Sequence, residues 1–252
     1  MTAASARRPR AGLLIPCLFA LSAFIAFVEL GAWQIHRKAW KEELIETLEQ
    51  RLSATAVALP ARERWATLDP TDDEFRRVEF TAAFVPGEQA LVYSSGSALR
   101  SDATGPGYWA FAPARLKTGG TVVVNRGFVP EGRQGAAGAS YDEPVEMIGV
   151  MRWPEQRSFF APKDDPARNL WFVRDPVAIA TGKGWGAVAP FFVELESPQP
   201  SGDLPHAGVI KVNLRNEHLQ YAITWYGLAA VVVVMFAFWL RSRWYGEQAE
   251  DT

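Results

Sequence analysis

The sequence predicts a membrane protein: two transmembrane helices flanking a mostly antiparallel β domain of α+β character, with a barrel as one form open to it. Two observations predict this. Residues 11–35 and 219–240 hold a single charge, Glu29, although the 252-residue chain carries 26 Lys+Arg and 28 Asp+Glu. Between them, short β-type runs alternate with Gly- and Pro-rich turns. The near-zero mean hydropathy averages these unlike parts and conceals both.

Residues 1–10 form a tail carrying Arg7, Arg8 and Arg10. Residues 11–35 follow as the first span, roughly 38 Å as a helix against a hydrocarbon core of about 30 Å. Pro16 sits near its start, where a helix tolerates proline. A cleaved signal peptide is the competing reading. It fits less well, because the apolar run is long and Leu18, Leu21, Phe24 and Leu30 stand where a cleavage site wants small residues. Residues 219–240 form the second span, roughly 33 Å with no charge. Trp33, Trp40, Trp225, Tyr226, Trp239, Trp244 and Tyr245 read as interfacial belts.

Two spans place both termini on one side and residues 36–218 on the other. Lys and Arg counts tie across each span: Arg7, Arg8 and Arg10 against Arg37, Lys38 and Lys41, then Lys211 and Arg215 against Arg241 and Arg243. Long loops translocate largely regardless of charge, and the N-terminal tail has no acid. The expected arrangement has cytoplasmic tails at 1–10 and 241–252 and a periplasmic domain. With no room for a mitochondrial presequence ahead of residue 11, a bacterial inner (plasma) membrane is expected.

Residues 36–53 keep a helical period, with Trp40, Leu44, Ile45, Leu48 and Leu52 on one side, and predict an amphipathic extension. The β-rich domain is placed at 54–218, opening with an Ala-, Pro- and Arg-rich connector to Pro70. Strands are expected at Val78–Val85, Gln89–Ser94, Tyr108–Ala112, Thr121–Asn125, Val145–Met151, Leu170–Val173, Phe191–Leu195 and Val209–Asn213. Turns are expected at Pro86-Gly87, Gly105-Pro106-Gly107, Lys117–Gly120 and the Gly/Ala loop 132–139. A short helix at Pro176–Thr181 has Asp175 as N-cap and Gly182 as its stop.

The net charge of −2 and the lack of a dense basic run argue against nucleic-acid binding. The single Cys17 lies in the first span, which excludes an intramolecular disulfide framework and paired-cysteine redox or copper chemistry. No G-x-S-x-G, H-E-x-x-H, P-loop or dinucleotide fingerprint occurs, so no enzyme is expected. Acid pairs such as Asp72-Asp73 and Asp164-Asp165 read as solvated loop carboxylates.

His36 ends the first span and His218 precedes the second, so both lie near one membrane surface. His218, Tyr221, Ala222, Trp225 and Ala229 share a helical face that offers an imidazole, aromatic planes and room for a flat apolar ligand. An imidazole can ligate haem iron. The rival reading is an interfacial histidine that bonds its own helix N-terminus. Glu29 shares a face with Trp33, His36, Arg37 and Trp40, and is read as protonated or bonded to a polar group such as Thr224.

Three stretches carry a resemblance: Gly31–Lys41 (G-x-W-Q-x-x-R-x-x-W-K), Val124–Pro130 (VNRGFVP), and Asn216–Ala229, opening N-E-H-L. In this order around two spans they resemble the Surfeit locus protein 1 family. Gly107-Tyr108…Pro113 and Leu170-Trp171…Asp175 add weaker matches. The resemblance implies an assembly factor for haem-a-containing cytochrome c oxidase, with oxidase subunit I, other assembly factors and membrane lipid as partners. It implies haem a as cofactor and His218 as the iron ligand. Tyr221, Thr224 and Trp225 would then shape or hydrogen-bond the pocket. Trp33, Gln34, Arg37, Trp40, Arg126 and Gly127 are candidate partner contacts. Against this stand bland readings: Trp33, Arg37 and Trp40 as an interfacial anchor with cation–π support, and Arg126-Gly127 as a strand-end turn with Gly strained and Arg exposed. A cofactor-free scaffold for the nascent subunit is the alternative function, and an unrecognised membrane enzyme a third.

Overall fold

The computed structural model describes residues 11–97, 100, 103–135, 143–199, 204–210 and 216–250. The tail arginines, residues 136–139 of the Gly/Ala loop, Lys211, Arg215, the Tyr245 side chain and the last three residues of the expected Val209–Asn213 strand lie outside them. The helices are α1 (Ala11–Ser53), α2 (Pro70–Asp73), α3 (Pro176–Lys183) and α4 (His218–Glu250). The chain divides into two compact units, Met1–Leu44 with Arg215–Thr252, and Ile45–Leu214.

The first unit holds the helices long and apolar enough to cross a membrane, within Leu13–Ser53 and His218–Trp244. Helix α1 runs unbroken through the expected span and its extension. Large apolar side chains such as Phe19, Ile15 and Phe238 are exposed around these helices, as lipid-facing positions require. The Arg37 guanidinium lies 3.9 Å from the Trp40 ring centroid, with Trp33 exposed beside them on the helix.

The second unit is built on a five-stranded barrel. Its strands are β2 (Arg77–Phe84), β4 (Gly107–Leu116), β5 (Thr121–Pro130), β6 (Val145–Arg152) and β8 (Phe192–Ser197). They run in the order β2-β6-β8-β5-β4, and β4 pairs back to β2 to close the ring; β5 and β8 are parallel and the other pairs antiparallel. β3 (Ala90–Ser94) extends the sheet from β4, β7 (Leu170–Trp171) pairs parallel to β3, and β1 (Val57–Ala58) pairs parallel to β2. The Ala-, Pro- and Arg-rich connector thus contains β1 and a 3-10 turn at Arg62–Thr67, and ends where α2 begins. No strand forms at Val209 and Ile210.

Period-two alternation fills two cores from the same strands. Phe80, Ala82, Ala112, Ala114, Val122, Val124, Met147 and Val193 pack in one cluster with Trp65. The alternate residues Phe111, Val123 and Phe192 join Val92, Trp171 and Ile179 of α3 in a second. β4, β5 and β8 are therefore buried on both faces. Helix α3 begins as expected, with the Asp175 carboxylate accepting from the Val177 and Ala178 amides. It stops at Gly184 (φ +71°), two residues beyond the expected Gly182, which stays helical against the Trp171 ring.

β5 runs five residues past its expected end by accommodating a bulge. Trp109 pairs with Phe128 and Phe111 with Asn125, so Arg126 and Gly127 together face Ala110. The Asn125 side-chain oxygen accepts from the Gly127 amide at 3.1 Å, and Gly127 takes φ +131°. Phe128 and His206 then exchange both backbone hydrogen bonds. Arg126 is 2% exposed with its guanidinium 5.3 Å from the Phe84 ring centroid, which corrects the exposed position expected for it.

A buried ion network joins elements distant in sequence. Glu194 Oε1 of β8 accepts from Arg152 at 3.2 Å and from Arg174 at 2.8 Å; Arg152 also meets Glu74, and Arg174 pairs with Glu155. Phe75 and Trp109 supply ring faces to Arg152 and Arg174 respectively.

Candidate functional site

The first helical unit brings the G-x-W-Q run onto the opening of α4. Gln34 of α1 and His218 of α4 are hydrogen bonded at 2.7 Å, and both are half-buried. With the amide oxygen toward the ring, Nδ1 donates and the Nε2 lone pair is left for another partner. The ring is thus held by the facing helix, not by its own N-terminus. In a low-dielectric setting such a bond contributes about 0.6–2 kcal/mol to helix pairing. Close by in sequence, the Asn216 Oδ1 is buried and makes no hydrogen bond among the described residues.

Two turns inward the pairing becomes aromatic: Phe27 and Trp225 stack with centroids 5.7 Å apart at 24°. Gly31 lies against the Tyr226 ring, and Ala222 and Ala229 are the buried small residues of α4. Farther along, the groove between the helices is wholly apolar, about 380 Å³ lined by residues including Cys17, Phe24, Val233 and Phe236. The Gln34–His218 end, by contrast, is polar.

The remaining named residues are placed less centrally. Tyr221 is 53% exposed. The Thr224 hydroxyl donates to the Gln220 carbonyl at 2.9 Å, so it is not the expected partner of Glu29, which is exposed on α1. His36 is exposed and bonded through Nδ1 to the Ala32 carbonyl of its own helix. Arg126 and Gly127 belong to the β-domain bulge, and Arg37 and Trp40 pair on α1.

The chain matches the SURF1 family over residues 21–230, a stretch that includes the Gln34–His218 pair and the whole barrel. The chain belongs to the SURF1 family. A SURF1-like protein of Monosiga brevicollis is 34% identical over 234 residues, covering 88% of this chain and 86% of that protein. Surfeit locus protein 1 of Homo sapiens is 34% identical over 217 residues, covering 80% and 69%. The Rattus norvegicus protein of that name is 33% identical over 227 residues, covering 84% and 70%.

In this SURF1-family chain Gln34 and His218 are each legible in the sequence as candidates, but their contact is not. Helical rise puts them at one depth, which is a signal in the sequence; the rotation of each helix about its axis is not. The pairing also explains Gly31. A Cβ there would lie 2.7 Å from the Tyr226 ring, which is partly exposed and can swing aside for one methyl group. Gly31→Ile, by contrast, is expected to force the helices apart. Oxidative cross-linking between Cys17 and a Phe236→Cys partner, which line one groove, should fall at least about threefold, and Tyr226→Ala should restore it.

Proposed function

We propose that this SURF1-family protein is an assembly factor for cytochrome c oxidase that acts without catalytic turnover and binds or delivers haem a to oxidase subunit I at the membrane. The observation that carries the reading is the Gln34–His218 hydrogen bond, 2.7 Å long, at the polar end of the helix pair. Metal-bound imidazoles characteristically give their second ring nitrogen to a hydrogen-bond acceptor, which fixes tautomer and orientation. The donor set therefore fits: Nε2 of His218 is left for iron, and Gln34 orients it.

Haem a, when bound, would supply an iron able to take an imidazole ligand, and His218 would hold it. The chain's own contribution is to hold the His218 ring against rotation through Gln34, at the end of a helix pair that becomes aromatic and then apolar further along. Tyr221 presents an exposed ring, and Asn216 Oδ1 is a buried acceptor with no donor among the described residues. Trp225 offers what its stacking on Phe27 leaves open.

A second reading has a specific observation behind it. The Thr224 hydroxyl is already donated to Gln220, and Trp225 already packs on Phe27, as in helices built for pairing. In that version the protein is a cofactor-free membrane scaffold for the nascent subunit. In either version we place it in a bacterial inner membrane with cytoplasmic termini and a periplasmic domain, in contact with subunit I, other assembly factors and lipid. The support is the acid-free tail and the translocation of long loops irrespective of charge.

The test is the absorption spectrum of detergent-purified protein from cells that synthesise haem a. The wild type is expected to carry haem a, His218→Ala to lose it, and Gln34→Leu to bind about 10–100-fold more weakly. A haem-free wild type, or an unchanged spectrum in His218→Ala, defeats the ligand assignment. A deletion strain whose oxidase lacks haem, with both forms purifying haem-free, favours the scaffold.

A further inference from the structure

Among the described residues, the domain displays an apolar feature that its fold does not use. Between β6 and β7, Phe159 and Phe160 are 94% and 88% exposed, more than the phenylalanines on the lipid-facing helix surfaces. They are the central residues of a turn in which the Ala161 amide donates to the Ser158 carbonyl at 3.0 Å. Central turn positions ordinarily take Gly, Asn, Pro or Ser, so two phenylalanines there run against local preference.

The turn is clasped at its base. Arg157 donates to the Pro162 carbonyl and pairs with Asp164, whose other oxygen accepts from the Phe172 amide at 2.8 Å. The two rings meet edge to face, with centroids 5.3 Å apart at 88°. They are thus displayed by a braced scaffold, with Lys163 exposed beside them.

We propose that the Phe159-Phe160 turn is a membrane-insertion tip: the rings enter the lipid headgroup–acyl boundary while Lys163 and Arg157 stay at phosphate level. Size favours lipid over a protein partner. Two aromatic side chains present on the order of 400 Å², about half of what each side of a stable protein interface buries. A bilayer asks for no matching cavity, and aromatic tips with basic neighbours are what interfacial segments carry. Both ends of the domain's chain also continue into the membrane helices, so lipid is present at high effective concentration. The inference stands on the spans alone and does not require haem binding.

The test uses the full chain in phosphatidylcholine–phosphatidylglycerol liposomes, with Cys17→Ala and a fluorophore on Ser158→Cys. Nitroxide placed near the headgroup on the lipid acyl chain is expected to quench the label at least about fivefold more strongly than in a Phe159→Ser/Phe160→Ser version, with Phe159→Leu/Phe160→Leu retaining most of the quenching. Unchanged melting of the serine variant confirms that the rings serve no folding role. Equal quenching in all versions, or access to aqueous iodide without lipid quenching, overturns the proposal. So does protection that appears only on adding an oxidase subunit, which would reassign the tip to a protein partner.

Discussion

Gly127→Ala is expected to cost about 4 kcal/mol or more and to lower the melting midpoint of the β-domain by about 10 °C or more, measured by circular dichroism in detergent. Two terms add. The residue sits at φ +131°, where an L side chain is strained by about 1–3 kcal/mol. A Cβ there would also stand 2.0 Å from the His206 carbonyl oxygen and 2.6 Å from the Ala207 amide nitrogen. Both are backbone atoms of the segment that exchanges hydrogen bonds with Phe128. No rotamer relieves such a contact, so the segment must leave, and its bonds with it. Gly87→Ala is the control, because Gly87 has φ +75° with nothing within 4 Å of the added Cβ. It should lose only the backbone term, about 1 kcal/mol. Should the two variants melt alike, close approach is not what Gly127 is for.

That glycine shows where the sequence was legible and where it was not. The alternation and turn residues of Val78–Val85 and Val145–Met151 place β2 and β6 to within a residue, because each has a clear pattern bounded by breakers. In β5 the NRG run reads locally as a strand end. The strand continues because Asn125 bonds the Gly127 amide and His206 arrives from the far side to pair with Phe128, a contact between residues 78 positions apart. The same limit applies in the helical unit. Apolar runs and aromatic flanks announce both helices, and the depth of His218 is readable from rise alone. That Gln34 turns toward it depends on which faces of α1 and α4 pack, a choice made by Gly31, Phe27 and Trp225 together. The ion network left no local signal, since Glu74, Arg152, Arg174 and Glu194 come from four separate elements or loops.

Glu194→Ala is expected to cost about 3–5 kcal/mol, because it removes one carboxylate from between two guanidinium groups and leaves their charges buried. The Glu194 side chain is 3% exposed, and its Arg152 and Arg174 partners are 8% and 15% exposed. Water therefore cannot replace it well. Arg152→Met/Arg174→Met/Glu194→Leu should melt closer to the wild type than Glu194→Ala does, since removing all three also removes the desolvation cost of the charges. The acid limb of the stability profile carries a second signature. Burial opposes charging Glu155, but the hydrogen bond and charge of Arg174, with the charge of Arg152, outweigh it and hold this carboxyl below the ordinary range. For a depressed carboxyl the stabilisation is complete above the unfolded-state value and is lost as pH falls through the lower folded value. Burial of Arg174 opposes its charge, yet Glu194 and Glu155 together raise its pKa, so it stays cationic throughout. In Glu194→Ala, Arg174 has Glu155 as its remaining carboxylate in this network, and protonating that group strands the guanidinium. The variant's melting midpoint should therefore fall more steeply than the wild type's as the pH is lowered through the carboxylate range. Parallel acid limbs in the two proteins would show that Glu194 and Glu155 do not share the Arg174 charge.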